Sequence, residues 1–322
     1  MTKLLLTVDV EDPYNPKTMN RIWGKIGSIY YGLPKIIEIL EAYNIKATFF
    51  VDVYEKEIHG DKRMREVLMF LNETGQDVQL HTHPGVAEIW GKGGLAGRCL
   101  KEQIEIIRWG KEFIEDSIGK KVIAHRAGSY KADNTTLTAL KHNNIDFDAS
   151  LFYKSKNCKI NTGENIYNDI FLIDDIFEAP VTTVKVNSTF FRNVLLKIDV
   201  EQEGKFLLQS LSLLKRLNYK YVTFFMHSFS LMTHYLKEPT ANVKNIEKLH
   251  KILHAIRELK LDVVTFGELN PSLEELSKTK DIPTLDIGLR ESINMIINRL
   301  KMEFKYQLNK KWINEVKETY EF

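Results

Sequence analysis

Short β-branched runs alternate along this chain with longer segments of helical period, and that alternation constrains the fold more than any other feature, because it marks parallel βαβ units. Lys3–Val10 reads as a first strand. Residues 34–43 then place Ile36, Ile37, Leu40 and Tyr43 at helical spacing, and residues 45–51 return to strand character. The rhythm continues through a helix at 63–73, a strand at 78–81, a helix at 100–117 capped near Gly119, a strand at 122–126 and a helix at 134–142. Strands at 147–150, 178–181, 221–226 and 262–266 follow, with helices at 203–217 and 242–259. Seven or eight strand–helix units in roughly 270 residues fit a (β/α) barrel, distorted or incomplete and seven-stranded, better than two open-sheet domains. No GxGxxG follows the first strand, so a dinucleotide fold lacks its fingerprint.

The chain is expected to divide into a barrel over residues 1–280 and an amphipathic helical tail over 281–322. In the tail, Ile293, Ile296, Ile297, Leu300, Phe304 and Leu308 form one apolar face opposite a charged one. Such a helix packs on the barrel or on a second copy of the chain in a homo-oligomer. The Lys and Arg residues gathered near Trp312 also suit contact with a membrane surface.

Composition narrows the function classes. With 43% hydrophobic residues in 322, the chain can bury a large core. Lys and Arg total 45 against 43 for Asp and Glu, so no global field gathers nucleic acid. Cys99 and Cys158 are too far apart in sequence for a short-spaced metal pair and are expected to be reduced thiols. The first apolar run is broken by Asp9, and no segment approaches about 20 apolar residues, so the expected location is the cytoplasm.

In a (β/α) barrel the reactive groups sit at the carboxyl ends of strands. Here those ends carry Asp9 with Glu11 and Asp12, then His81 with His83, then Arg126, Asp148 and His227. Residues i and i+2 of an extended chain face one side, which is the geometry that two ligands of one metal need. His81 and His83 with a carboxylate therefore form an open ligand set for zinc or another divalent ion, with Co, Ni, Mn or Fe as the other candidates. Asp9 and Glu11 project together, whereas Asp12 joins them only if the chain has already turned before Pro13. Glu11 is thus favoured as ligand over Asp12, and both stay open.

At these residues the sequence resembles the polysaccharide deacetylase family, also called carbohydrate esterase family four or the NodB-homology fold, over about residues 3–270. TVDVED at 7–12 resembles the first motif, KATFFV at 46–51 the strand after the first helix and LHTHPG at 80–85 the histidine motif. HRAGSY at 125–130, FDASL at 147–151, EAPVT at 178–182 and FMHSFSL at 225–231 resemble later motifs. The family spaces its two histidines four apart, but position 85 is Gly85, so the carry-over falls on His83. Gly128 and Ser129 precede Tyr130 where the family has a proline, and the usual fourth-motif tryptophan is missing. These departures resemble a variant branch of surface-glycan and lipopolysaccharide biosynthesis proteins.

The resemblance implies a metal-dependent hydrolase that removes an N-acetyl or other N-acyl group from a sugar. Asp9 would be the general base, Arg126 would orient it, bridged to Asp148, and His227 would protonate the departing amine. Tyr130 and Asp148 would be substrate-binding, with a backbone N–H near Tyr130 stabilising the oxyanion. The alternatives are a metal-dependent hydrolase of another linear or cyclic amide and a non-catalytic glycan-binding pseudoenzyme.

Overall fold

The computed structural model describes residues 2–12, 19–233, 236, 238–272, 276 and 281–320, and the side chains of Leu308 and Trp312 lie outside the described set. Its centre is strand β1, Lys3–Val10, whose residues from Leu4 onward are all buried. Burial on both faces is what a parallel strand flanked by helices requires, and it explains the nearly unbroken apolar run KLLLTVDV. Parallel to β1 lie β2 (Thr48–Asp52), β3 (Asp77–Thr82), β4 (Ala124–Ala127) and β5 (Phe147–Asp148), each hydrogen-bonded to the one before. On the far side, β6 (Phe171–Ile173) runs antiparallel to β7 (Ile176–Glu178), and β7 pairs with β5.

After β7 the chain leaves the parallel rhythm. Strands β8 (Thr183–Asn187) and β9 (Val194–Lys197) form an antiparallel hairpin, and only then does the chain return to β10 (Tyr221–His227) beside β1. Strand β11 (Asp262–Val264) pairs with the first residues of β1, where β2 has not yet begun. The nine-stranded sheet curls until its ends nearly meet. Single bonds span the gap: Phe225 N–H donates to Ile198 O, and Ile198 N–H to Thr182 O. The expected incomplete (β/α) barrel is therefore present. The excursion at 183–197 was not expected, because its alternation is too short to separate from loop.

Helices α1 (Leu33–Ala42), α2 (Asp61–Glu73), α3 (Leu100–Ile118), α4 (Asn134–His142), α5 (Gly204–Arg216) and α6 (Val243–Glu258) cover the sheet with their apolar faces inward. Helix α3 ends at Gly119, whose φ of 67° is the left-handed cap that a glycine tolerates best. Strand β12 (Thr284–Asp286) joins β8, and α7 (Leu289–Tyr320) follows. Ser292 is buried, Met295 packs on the core, and Glu291 pairs with Lys205 at the start of α5. On the same helix Ile293, Ile297, Leu300 and Phe304 are exposed rather than packed on the barrel. No described helix is long and apolar enough to cross a membrane.

Candidate active site

Pairing register gathers the reactive side chains into one row. Asp9 lies opposite His227 on one neighbour and Phe50 on the other, Asp52 lies opposite His81, and His81 opposite Arg126. Residues opposite one another in register point to the same face of the sheet. Here that places Asp9, His81, Arg126 and His227 together inside the carboxyl end of the barrel.

Glu11, His81 and His83 each offer a ligand atom, and these atoms lie within 4.8 Å of one another. Glu11 Oε2 is 2.9 Å from His83 Nε2 and 3.5 Å from His81 Nε2. His81 Nδ1 lies 2.9 Å from the Arg126 carbonyl oxygen, which can only accept, so Nδ1 carries a proton and Nε2 is the ring atom turned toward Glu11. Such an outer partner orients metal-binding imidazoles. Burial alone would raise Glu11, but charge on His83 and hydrogen bonds from His81 and His83 hold its carboxyl well below the usual range. Burial likewise opposes charge on His83, yet Glu11 outweighs it and lifts the imidazole to about 9. The group stabilises positive charge, and its donor set fits a divalent ion.

The other motif-one acids have different partners. Asp9 Oδ1 accepts from Arg126 Nη1 at 2.6 Å, while Asp9 Oδ2 lies 3.8 Å from His81 Nε2. Arg126 is fully buried: its Nη2 donates to Thr7 Oγ1, its Nε to Ala149 O, and its guanidinium lies 4.3 Å from the Phe50 ring centroid. Asp12 Oδ2 accepts from Arg21 N–H and its own N–H donates to Glu55, so its carboxylate serves the turn rather than the Glu11 group.

The expected bridge from Arg126 to Asp148 is absent. Asp148 Oδ1 instead pairs with His125 Nδ1 at 2.7 Å and accepts from Ser150 Oγ, while His125 Nε2 meets Thr82 Oγ1. The reason is register. Asp148 is opposite His125, and adjacent residues of a strand point to opposite faces, so Asp148 cannot follow Arg126 into the barrel.

His227 closes the row, with Nε2 3.7 Å from Glu11 Oε1 and its ring stacked on Phe229 and edge-on to Phe225. Burial lowers its pKa against the pull of Glu11, and Lys197 adds to the lowering. The imidazole is therefore neutral at rest and a strong donor once protonated. Tyr130 stands on the rim, its ring 4.9 Å from that of Phe152 and its hydroxyl accepting from Lys197 Nζ. Lys197 is paired with Asp199 at 2.8 Å and lies 3.6 Å from the Phe225 ring centroid. A cavity of about 430 Å³ opens here, lined by Tyr130, Phe152, Lys154, Asn157, Lys197 and Gln202 among others.

Three groups near the site were not anticipated. Lys197 and Asp199 follow from the unexpected hairpin. Asp52 ends β2 as Asp9 nearly ends β1, and the signal was available: the run KATFFV is followed directly by an aspartate. Burial lifts Asp52 to about 6 against the pull of His83 and His81. Behind it lie Glu55 and His59, 3.4 Å apart and buried.

A family model described as polysaccharide deacetylase matches residues 30–147. That stretch contains His81, His83 and Arg126, while Asp9, Glu11 and His227 lie outside it. No curated protein matches the chain. Among solved structures, the chain resembles a 4-alpha-glucanotransferase from Thermococcus litoralis at 11% identity and a TM-score of 0.51, covering 83% of this chain and 38% of that one. It also resembles a putative polysaccharide deacetylase from Mycobacterium smegmatis (15% identity, TM-score 0.47, 84% and 95% covered). A CE4 family pseudoenzyme from Bacillus anthracis is similar at 14% identity and a TM-score of 0.48, with 89% and 69% covered. At these identities the likenesses concern fold alone.

Proposed function

Since the chain belongs to the polysaccharide deacetylase family through residues 30–147, we propose that it is a metal-dependent hydrolase that removes an N-acetyl or other N-acyl group from a sugar of a surface glycan, capsule or lipopolysaccharide. The observation that carries this reading is the convergence of the Glu11, His81 and His83 ligand atoms beside the Asp9–Arg126 pair and His227. A divalent ion, zinc first, held by Glu11, His81 and His83 would polarise the acyl carbonyl and lower the pKa of water.

The chain's own residues divide the remaining work. Arg126 fixes Asp9 Oδ1 and leaves Oδ2 turned toward His81, so Asp9 is placed to take a proton from the attacking water. His227, with Nε2 3.7 Å from Glu11 Oε1, is placed to give a proton to the departing nitrogen. A backbone N–H of the loop at Tyr130 would receive the developing oxyanion. The cavity beside Tyr130, with ring faces, amides and lysines, suits the rest of a sugar chain.

The test is release of acetate and free amine from N-acetylated sugars offered free, nucleotide-linked and lipid-linked, with and without a chelator. Release that stops on chelation and returns with added zinc supports the reading. Equal release by metal-free protein contradicts it.

A further inference from the structure

His81 and His83 are held in different ways. The His81 ring is fixed by its Nδ1–H bond to Arg126 O, and among the described residues His83 has no counterpart to that bond. What His83 has is contact: its ring lies edge-on to His81, with centroids 4.9 Å apart, and against Gly128. A Cβ built on Gly128 would come closer than 3.0 Å to Cδ2, Nε2 and Cε1 of His83, a separation that side chains do not adopt. Register accounts for the meeting. His81 pairs with Arg126 and Thr82 with Ala127, so one step further brings His83 beside Gly128.

The backbone does not explain this glycine. Gly128 is not among the residues with positive φ, whereas Ser129 and Tyr130, just after it, have φ of 52° and 60°. A glycine serving the turn would stand at 129 or 130, where left-handed side chains cost on the order of 1 kcal/mol each. It stands instead where the imidazole leaves no room.

We infer that Gly128 is a positioning residue for the second histidine ligand: by lacking a side chain it lets the His83 ring sit with Nε2 on Glu11, and residues 83 and 128 work as one unit. This rests on the metal reading proposed above.

The test is zinc affinity of the full chain, measured by competition with a chromophoric chelator, for wild type, Gly128→Ala, His83→Ala and the double variant. Alanine is compatible with the backbone at 128, so Gly128→Ala is expected to fold and to bind zinc about 10- to 100-fold more weakly, as loss of a ligand-orienting contact does. The double variant is expected to bind no more weakly than His83→Ala alone, because the two changes remove one interaction. Wild-type affinity in Gly128→Ala overturns the inference and leaves the metal reading standing. A wild type that binds no zinc overturns the metal reading itself. If Gly128→Ala does not fold, the double variant decides: folding restored by removing the imidazole supports the pairing, and continued failure to fold shows that the backbone requires the glycine and overturns it.

Discussion

Two glutamate–histidine pairs lie close together in this molecule, and they hold opposite charge states. At the mouth of the barrel Glu11 and His83 are 2.9 Å apart, with Glu11 held well below the carboxylate range against its burial and His83 lifted to about 9. Behind them Glu55 and His59 are 3.4 Å apart. There burial first, then Asp52 and Asp12, raise Glu55 well above the carboxylate range, and burial with Arg63 presses His59 down to about 4. The front pair is an ion pair and the rear pair is neutral. The residue types are the same, so the neighbours decide. Glu11 faces three imidazoles at a partly open mouth, whereas Glu55 faces other acids in an enclosed interior. A histidine beside an acid marks a cation site only where donors converge on negative potential.

The contrast can be broken most easily at the ligands. Glu11→Gln and His81→Ala are each expected to weaken zinc binding by more than about a hundredfold, beyond what outer-shell changes cause. Glu55→Gln and His59→Asn should leave zinc affinity at the wild-type value. Calorimetric titration of the four variants checks this, and comparable losses from the rear pair would erase the distinction.

The next effect separates chemistry from metal holding. Asp9→Asn and His227→Ala should slow acetate release by about a hundredfold or more while zinc affinity is kept, because each removes a proton-transfer group and no ligand. Steady-state kinetics with zinc-loaded protein gives the answer. Near-normal turnover in both variants would reassign the base and the acid.

Asp12 lies between the two regions, touching Arg21 on one side and Glu55 on the other. Asp12→Asn is expected to weaken zinc binding by about tenfold at most, the usual scale for a group that supports a ligand indirectly. An emptied site in this variant, with Glu11→Gln still loaded, would exchange their roles.

The smallest effect concerns stability. His59 has a folded pKa near 4 against an ordinary 6.5, so the unfolded chain binds the extra proton first as pH falls. The stabilisation from a neutral buried His59 is therefore present above about 6.5 and is lost between there and about 4. Thermal unfolding across that range should decline less steeply in His59→Asn than in wild type. Identical slopes would mean that His59 is not held neutral by the fold.

Much of this was legible in the sequence because a parallel sheet puts its chemistry at predictable places. Asp9, His81, Arg126 and His227 end strands whose apolar runs are easy to read, and the i, i+2 spacing of His81 and His83 points both toward one ligand set. The choice of Glu11 over Asp12 followed from strand alternation, and Glu11 is the acid found with the two histidines. What was not legible depends on pairing between strands. Asp148 lies in register with His125, one residue from the expected partner, and that single step turns it away from Arg126. Lys197 and Asp199 reach the site through an antiparallel hairpin that interrupts the βαβ pattern. The state of Glu55 and His59 depends on acids brought close only by the fold.

The most direct measurement is anomalous scattering at the zinc edge from crystals of the full chain grown with zinc. One strong peak bounded by Glu11, His81 and His83 is the result expected here. A peak at Asp52, Glu55 and His59, or none at the barrel mouth, would contradict the account.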